Sequence, residues 1–131
     1  MVKALLSFNF AQNKQAMSKI SEINFKIKLN DNQIPEKIEW QATDSGEGFK
    51  ETKSIMLSMW DQDDKSAMRI DLWTNDMRLD EMDAHFFQTL ITLSESYQRA
   101  TQSNIVVKEM QQFCETLANK ISAEAKTKNE K

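Results

Sequence analysis

A chain of 131 residues, 40% hydrophobic and 28% charged, has the size and balance of one soluble domain with its own core. Its net charge of −3 opposes attraction to phosphate backbones, and no lysine or arginine stripe interleaved with aromatics offsets it, so nucleic acid is not expected as a partner. A single cysteine allows no internal disulfide, no apolar run reaches the roughly 20 residues of a membrane span, and the expected location is the cytoplasm.

Residues 1–16 place Lys3 before Ala4, Leu5, Leu6, Phe8 and Phe10. Ser7 and Asn9 interrupt that apolar set, and no small-residue cleavage pattern follows, so it is not read as a secretion leader. Met17 opens "MSKISEINF", a natural start followed by a strand. Residues 1–16 are therefore read as a peripheral or disordered extension, 17–122 as a single α+β domain, and 123–131 as a polar tail with a frayed end.

In "EINFKIKLN", Ile23, Phe25, Ile27 and Leu29 alternate with Asn24, Lys26 and Lys28, which predicts a strand with one apolar face. In "IPEKIEWQA", Ile38, Trp40 and Ala42 alternate in the same way. Asp31, Asn32 and Pro35 between the two predict a hairpin, with Pro35 at the entry of the second strand, where its missing N–H does least harm. "TDSGEGFKET" holds both glycines and is read as the longest loop.

A second hairpin is predicted from register. If Met59 faces Met68, then Leu57 faces Ile70 and Ile55 faces Leu72, so three inward pairs are apolar without adjustment. "DQDDKS", residues 61–66, is then the connecting turn. An EF-hand would need glycine at its sixth position and glutamate at its twelfth, where Ser66 and Leu72 stand, so the acidic turn is read as solvated and no metal or cofactor is expected. The same register sends Met56, Trp60, Arg69 and Trp73 outward. These four are the candidate protein-interaction residues, facing a partner or a second copy of the chain. The alternative is that both indoles lie over a loop or the N-terminal segment.

After Trp73 the period becomes helical. Leu79, Met82, Phe86, Leu90, Leu93 and Tyr97 define a stripe that Phe87 and Ile91 widen. Asp76, Asp80 and Glu81 stand near its start, where carboxylates answer free N–H groups and the helix dipole. A break around "ATQSN" precedes a second helix from about Val106, with Met110, Phe113, Cys114, Leu117 and Ile121 inward. The expected fold is α+β, a four-stranded antiparallel sheet followed by two helices packed on one face.

Catalytic chemistry has little to stand on. His85, the sole histidine, has no serine or cysteine one helical turn away and is read as structural or superficial. Cys114 lies on the apolar stripe and is read as a core thiol. The glycines of "DSGEG" form neither a dinucleotide fingerprint nor a P-loop. Asp80, Glu81 and Asp83 are read as an N-terminal charge set. No catalytic residue is assigned, and the chain is not expected to be an enzyme.

"IPEKIEW" at 34–40, "SIMLSMWD" at 54–61, "MRIDLWTNDM" at 68–77, "DEMDAHFFQTL" at 80–90 and "FC" at 113–114 occur in that order, and in them the sequence resembles the bacterial gliding-motility protein GldC family over about residues 18–122. Arg78 departs from the pattern, which has proline there, as does the segment before Met17. The resemblance implies a small accessory protein of the gliding machinery, which is linked to a dedicated secretion system, with no catalytic residues to carry over. It implies a partner from that gliding or secretion machinery and a place in the cytoplasm, peripheral to the inner membrane through that partner. Two other readings stay open: a small acidic chaperone for a secreted or membrane-anchored protein, and a small-molecule binder or enzyme with an unrecognised pocket.

Overall fold

The computed structural model describes residues 18–129. The extension expected at 1–16 lies outside the described residues. The chain divides after Met77 into two compact units, the first built of strands and the second of helices.

In the first unit β1 (Ile23–Leu29) and β2 (Pro35–Ala42) form the predicted hairpin, and Pro35 opens β2. Phe25 pairs with Trp40 and Ile27 with Ile38, so the alternating apolar residues meet on one face, and Ile38 and Ala42 are buried there. The turn is closed by Asn30, whose Oδ1 accepts from the N–H groups of Asn32 at 2.9 Å and Ile34 at 3.0 Å. On the opposite face Lys37 Nζ sits 2.9 Å from Glu39 and 3.2 Å from Glu51. The two carboxylates, Glu39 first, raise the lysine's pKa.

The expected single four-stranded sheet is not what forms. β3 (Lys50–Thr52) lies inside the stretch read as a loop and pairs with β2 through Ile38 and Thr52, Glu39 and Glu51, and Trp40 and Lys50. The strands β1-β2-β3 make a three-stranded sheet, and β4 (Ser54–Asp61) with β5 (Ser66–Trp73) makes a separate two-stranded one. "KET" has no apolar alternation, so nothing local marks it as a strand; its ladder to β2 does. Before it the chain makes a 3-10 turn at Thr43–Ser45, ended by Gly46 at φ 66°, a left-handed conformation that suits glycine.

Thr74 ties the two sheets together. Its N–H donates to the Lys53 carbonyl at 2.8 Å, and the next N–H, of Asn75, donates to the Pro35 carbonyl at 3.0 Å. These bonds join the end of β5 to the bend between β3 and β4 and to the start of β2, and the burial of Thr74 shields the first of them from competing water.

The second unit is a helical hairpin, α1 (Leu79–Thr101) and α2 (Asn104–Asn129). α2 runs through most of the polar stretch expected as a tail; alanine, lysine and glutamate there are good helix formers. Ser94 of α1 and Val107 and Cys114 of α2 are buried. The seam on α1 is thus marked by Ser94, with Phe87 and Ile91 beside it facing Cys114. Of the main stripe of the periodic reading, Leu79, Phe86, Leu93 and Tyr97 are exposed and Met82 and Leu90 half-buried. Phe87 and Ile91, which only widened the stripe, face α2, as does Leu90. A helix this apolar offers more surface than one neighbouring helix can cover.

Candidate functional site

The β4–β5 hairpin has the predicted register throughout: Ile55 opposite Leu72, Leu57 opposite Ile70 and Met59 opposite Met68 on one face. On the other face Met56 lies opposite Asp71, Ser58 opposite Arg69, Trp60 opposite Ala67 and Ser54 opposite Trp73. All four candidate interaction residues therefore share one face. Trp60 is 70% and Trp73 52% exposed, whereas Met56 is half-buried. The indoles stand at opposite ends of the hairpin, about 20 Å apart along the strands at about 3.4 Å per residue. Between them Arg69 forks onto Asp71, Nε to Oδ2 at 3.2 Å and Nη2 to Oδ1 at 2.8 Å. That carboxylate raises the pKa of the guanidinium. The surface is an ion pair flanked by two aromatic anchors.

The other face of the hairpin was expected to be core, and it is not closed. Met59, Met68 and Ile70 are 40%, 54% and 42% exposed, and no residue of β4 or β5 is fully buried. Apolar surface is thus open on both faces of the hairpin.

The acidic turn is organised by its first residue. Asp61 Oδ1 accepts from the N–H groups of Asp63 at 2.9 Å and Asp64 at 2.7 Å, and Lys65 completes the turn in a left-handed conformation, φ 51°. One acid of the cluster thus serves the backbone, an Asx-type turn. Among the described residues no group of three or more His, Cys, Asp or Glu side chains is placed to hold a metal ion. His85 is half-buried on α1, and Cys114 is buried in the helical hairpin.

Each unit has a hollow of its own. Between α1 and α2 a cleft of about 530 Å³ is lined by Phe87, Ile91, Ser94, Glu95, Cys114 and Glu115 among others. In the strand unit a hollow of about 300 Å³ is lined by Lys37, Glu51, Lys53, Thr74 and Asp76 among others. Asp76 accepts from the Thr74 hydroxyl at 2.6 Å, and that bond lowers its pKa. Asp76 was expected at the helix start; it stands before α1 and braces Thr74 instead. The Thr-x-Asp spacing at 74–76 was the signal available for it.

The family model for gliding motility-associated GldC-like proteins matches residues 35–123. The chain belongs to the GldC-like family. No curated protein and no solved structure matches it. The GldC-like region begins at Pro35 with β2, takes in β3, the whole β4–β5 hairpin and α1, and ends within α2. It contains all four candidate residues, and β1 precedes it. No helix among the described residues is long and apolar enough to cross a membrane.

Proposed function

We propose that this GldC-like chain is a non-catalytic accessory protein of the gliding-motility machinery that binds a protein component of that machinery, or of the secretion system linked to it, through the outward face of the β4–β5 hairpin. The observation that carries the reading is the exposure of Trp60 and Trp73 on one face of a hairpin inside the family region. Tryptophan left in water forgoes a large burial gain, and it is over-represented among residues that dominate interface energies. The Arg69–Asp71 pair between the indoles supplies polar contacts that orient a partner. In this reading the protein works in the cytoplasm and reaches the inner membrane through its partner.

Pull-down from gliding cells with mass spectrometry identifies the partner. Trp60→Ala and Trp73→Ala are then expected each to cost about 2 kcal/mol or more of binding, with the urea midpoint little changed. Binding that survives both substitutions overturns the reading.

A second reading, a chaperone for a secreted or membrane-anchored protein, is favoured by the breadth of the apolar surface on the helical unit, where Leu79, Phe86, Leu93 and Phe113 are exposed. It predicts loss of client binding on Phe86→Ala or Phe113→Ala, with the tryptophan variants unaffected.

A further inference from the structure

Sheets protect their edges from pairing with other chains by lysine, proline, bulges or shortness. The edges of the three-stranded sheet have such protection. β1 carries Lys26 and Lys28 and a register irregularity after Lys28, and β3 is three residues long. β5 has none of it. It runs eight residues, "SAMRIDLW", without lysine, proline or glycine and with unbroken register to β4. β4 is its one ladder neighbour among the described residues; the start of β2 meets the other side only past the C-terminal end, where the Asn75 N–H donates to the Pro35 carbonyl, and from Ala67 to Asp71 the alternate N–H and C=O groups of that side have no ladder partner there. Seven of its eight residues are exposed, whereas the first four residues of β4 are half-buried.

We propose that the free edge of β5 pairs antiparallel with β5 of a second copy of this chain, about a two-fold axis through Ile70. The register follows from charge and alternation. A two-fold axis makes the contact self-complementary, and only registers that keep the strand faces in step leave Met68, Ile70 and Leu72 on one side. An axis at Arg69 sets two arginines opposite each other, and an axis at Asp71 sets two aspartates opposite each other. With the axis at Ile70, Arg69 of each copy faces Asp71 of the other, Met68 faces Leu72, and Ile70 faces its own counterpart.

Arg69 and Asp71 already fork onto each other within one strand at 2.8 and 3.2 Å. The ribbon gives each a second, opposite-charged neighbour across the axis. On the same face Ala67 falls between Trp60 of its own hairpin and Trp73 of the second copy, where its small side chain leaves room for both rings. The product is a four-stranded sheet in the order β4-β5-β5-β4, with the tryptophan faces of both copies on one side. The inference needs only the strand edge and does not depend on which partner the outward face binds.

Analytical ultracentrifugation of the full chain tests it. At about 50 μM the wild type is expected to be a dimer. Arg69→Asp and Asp71→Arg each set like charges across the axis and are expected to weaken dimerisation about tenfold or more. An equimolar mixture of the two variants is expected to recover the dimer, because each supplies the charge the other lacks. Far-UV circular dichroism checks that the variants fold. If either does not, Ile70→Cys carries the test: mild oxidation is expected to give a reducible dimer that neither the wild type nor Leu57→Cys on β4 gives. A monomeric wild type, single variants that remain dimeric, a mixture that does not recover, or cross-linking through Leu57→Cys in place of Ile70→Cys overturns the proposal.

Discussion

With only two glycines in the chain, other side chains must take the left-handed positions of its turns. Gln33, Lys65 and Gln102 stand at φ 63°, 51° and 57°, closing the first hairpin, the second hairpin and α1 respectively. A side chain with a Cβ is strained in that region, and a glycine is not. Gln102 ends α1 with its N–H donated to the Gln98 carbonyl at 2.9 Å, a bond the substitution keeps. Gln102→Gly and Lys65→Gly are therefore expected each to stabilise the fold by about 0.5–1 kcal/mol, read as a higher urea midpoint. In the same second turn the cost of losing Asp61 is expected to exceed that of its neighbours. Asp61→Ala removes the acceptor of two backbone N–H groups and is expected to cost about 1 kcal/mol. Asp63→Asn and Asp64→Asn are expected to stay within about 0.5 kcal/mol in the same urea titration.

At the scale of elements, the start of α1 shows how a helix begins on a cap residue whose side chain cannot accept a hydrogen bond. Arg78 is the N-cap, and its N–H donates to Glu81 Oε2 at 3.0 Å. That is one half of a capping box; the other half is missing because an arginine side chain has no acceptor to offer. Instead it forks onto Asp80, Nε to Oδ1 at 2.9 Å and Nη2 to Oδ2 at 2.8 Å. The arginine's hydrogen bonds bring the Asp80 pKa down from 3.8 to about 2. A carboxylate depressed on folding adds stability that is fully present above its unfolded pKa and is lost as pH falls through the folded one. The stabilising difference between wild type and Arg78→Ala is thus expected to hold at neutral pH and to fade between 3.8 and about 2. Thermal melts of the two proteins across that window check it, with an NMR titration of the Asp80 carboxyl expected to return toward 3.8 in the variant.

For the whole molecule the three tryptophans report on separate places. Trp40 on β2 is half-buried, while Trp60 and Trp73 are exposed. Variants keeping one tryptophan each, the others replaced by phenylalanine, are expected to rank Trp60 as most and Trp40 as least open to acrylamide quenching. Partner binding through the outward face protects Trp60 and Trp73 together. Protection of Trp40 in their place moves the interface to the three-stranded sheet.

Period-two alternation and turn chemistry by themselves determined both long hairpins, down to the opposition of Met59 and Met68 and the common face of Trp60, Arg69 and Trp73. These are local facts: a strand's alternation and the length of its turn set register without reference to the rest of the chain. The helical hairpin was legible for the same reason. Tertiary structure alone decided three things. "KET" became a strand because β2 offered it a ladder, a non-local hydrogen-bonding event with no trace in its own side chains. The seam of α1 went to Phe87, Leu90, Ile91 and Ser94 because a broad apolar stripe leaves the buried strip to be chosen by the neighbouring helix. Of the hairpin residues read as core, Met59, Met68 and Ile70 stayed exposed while Ile55, Leu57 and Leu72 are half-buried, because alternation says which side chains share a face, and only packing says whether that face is covered.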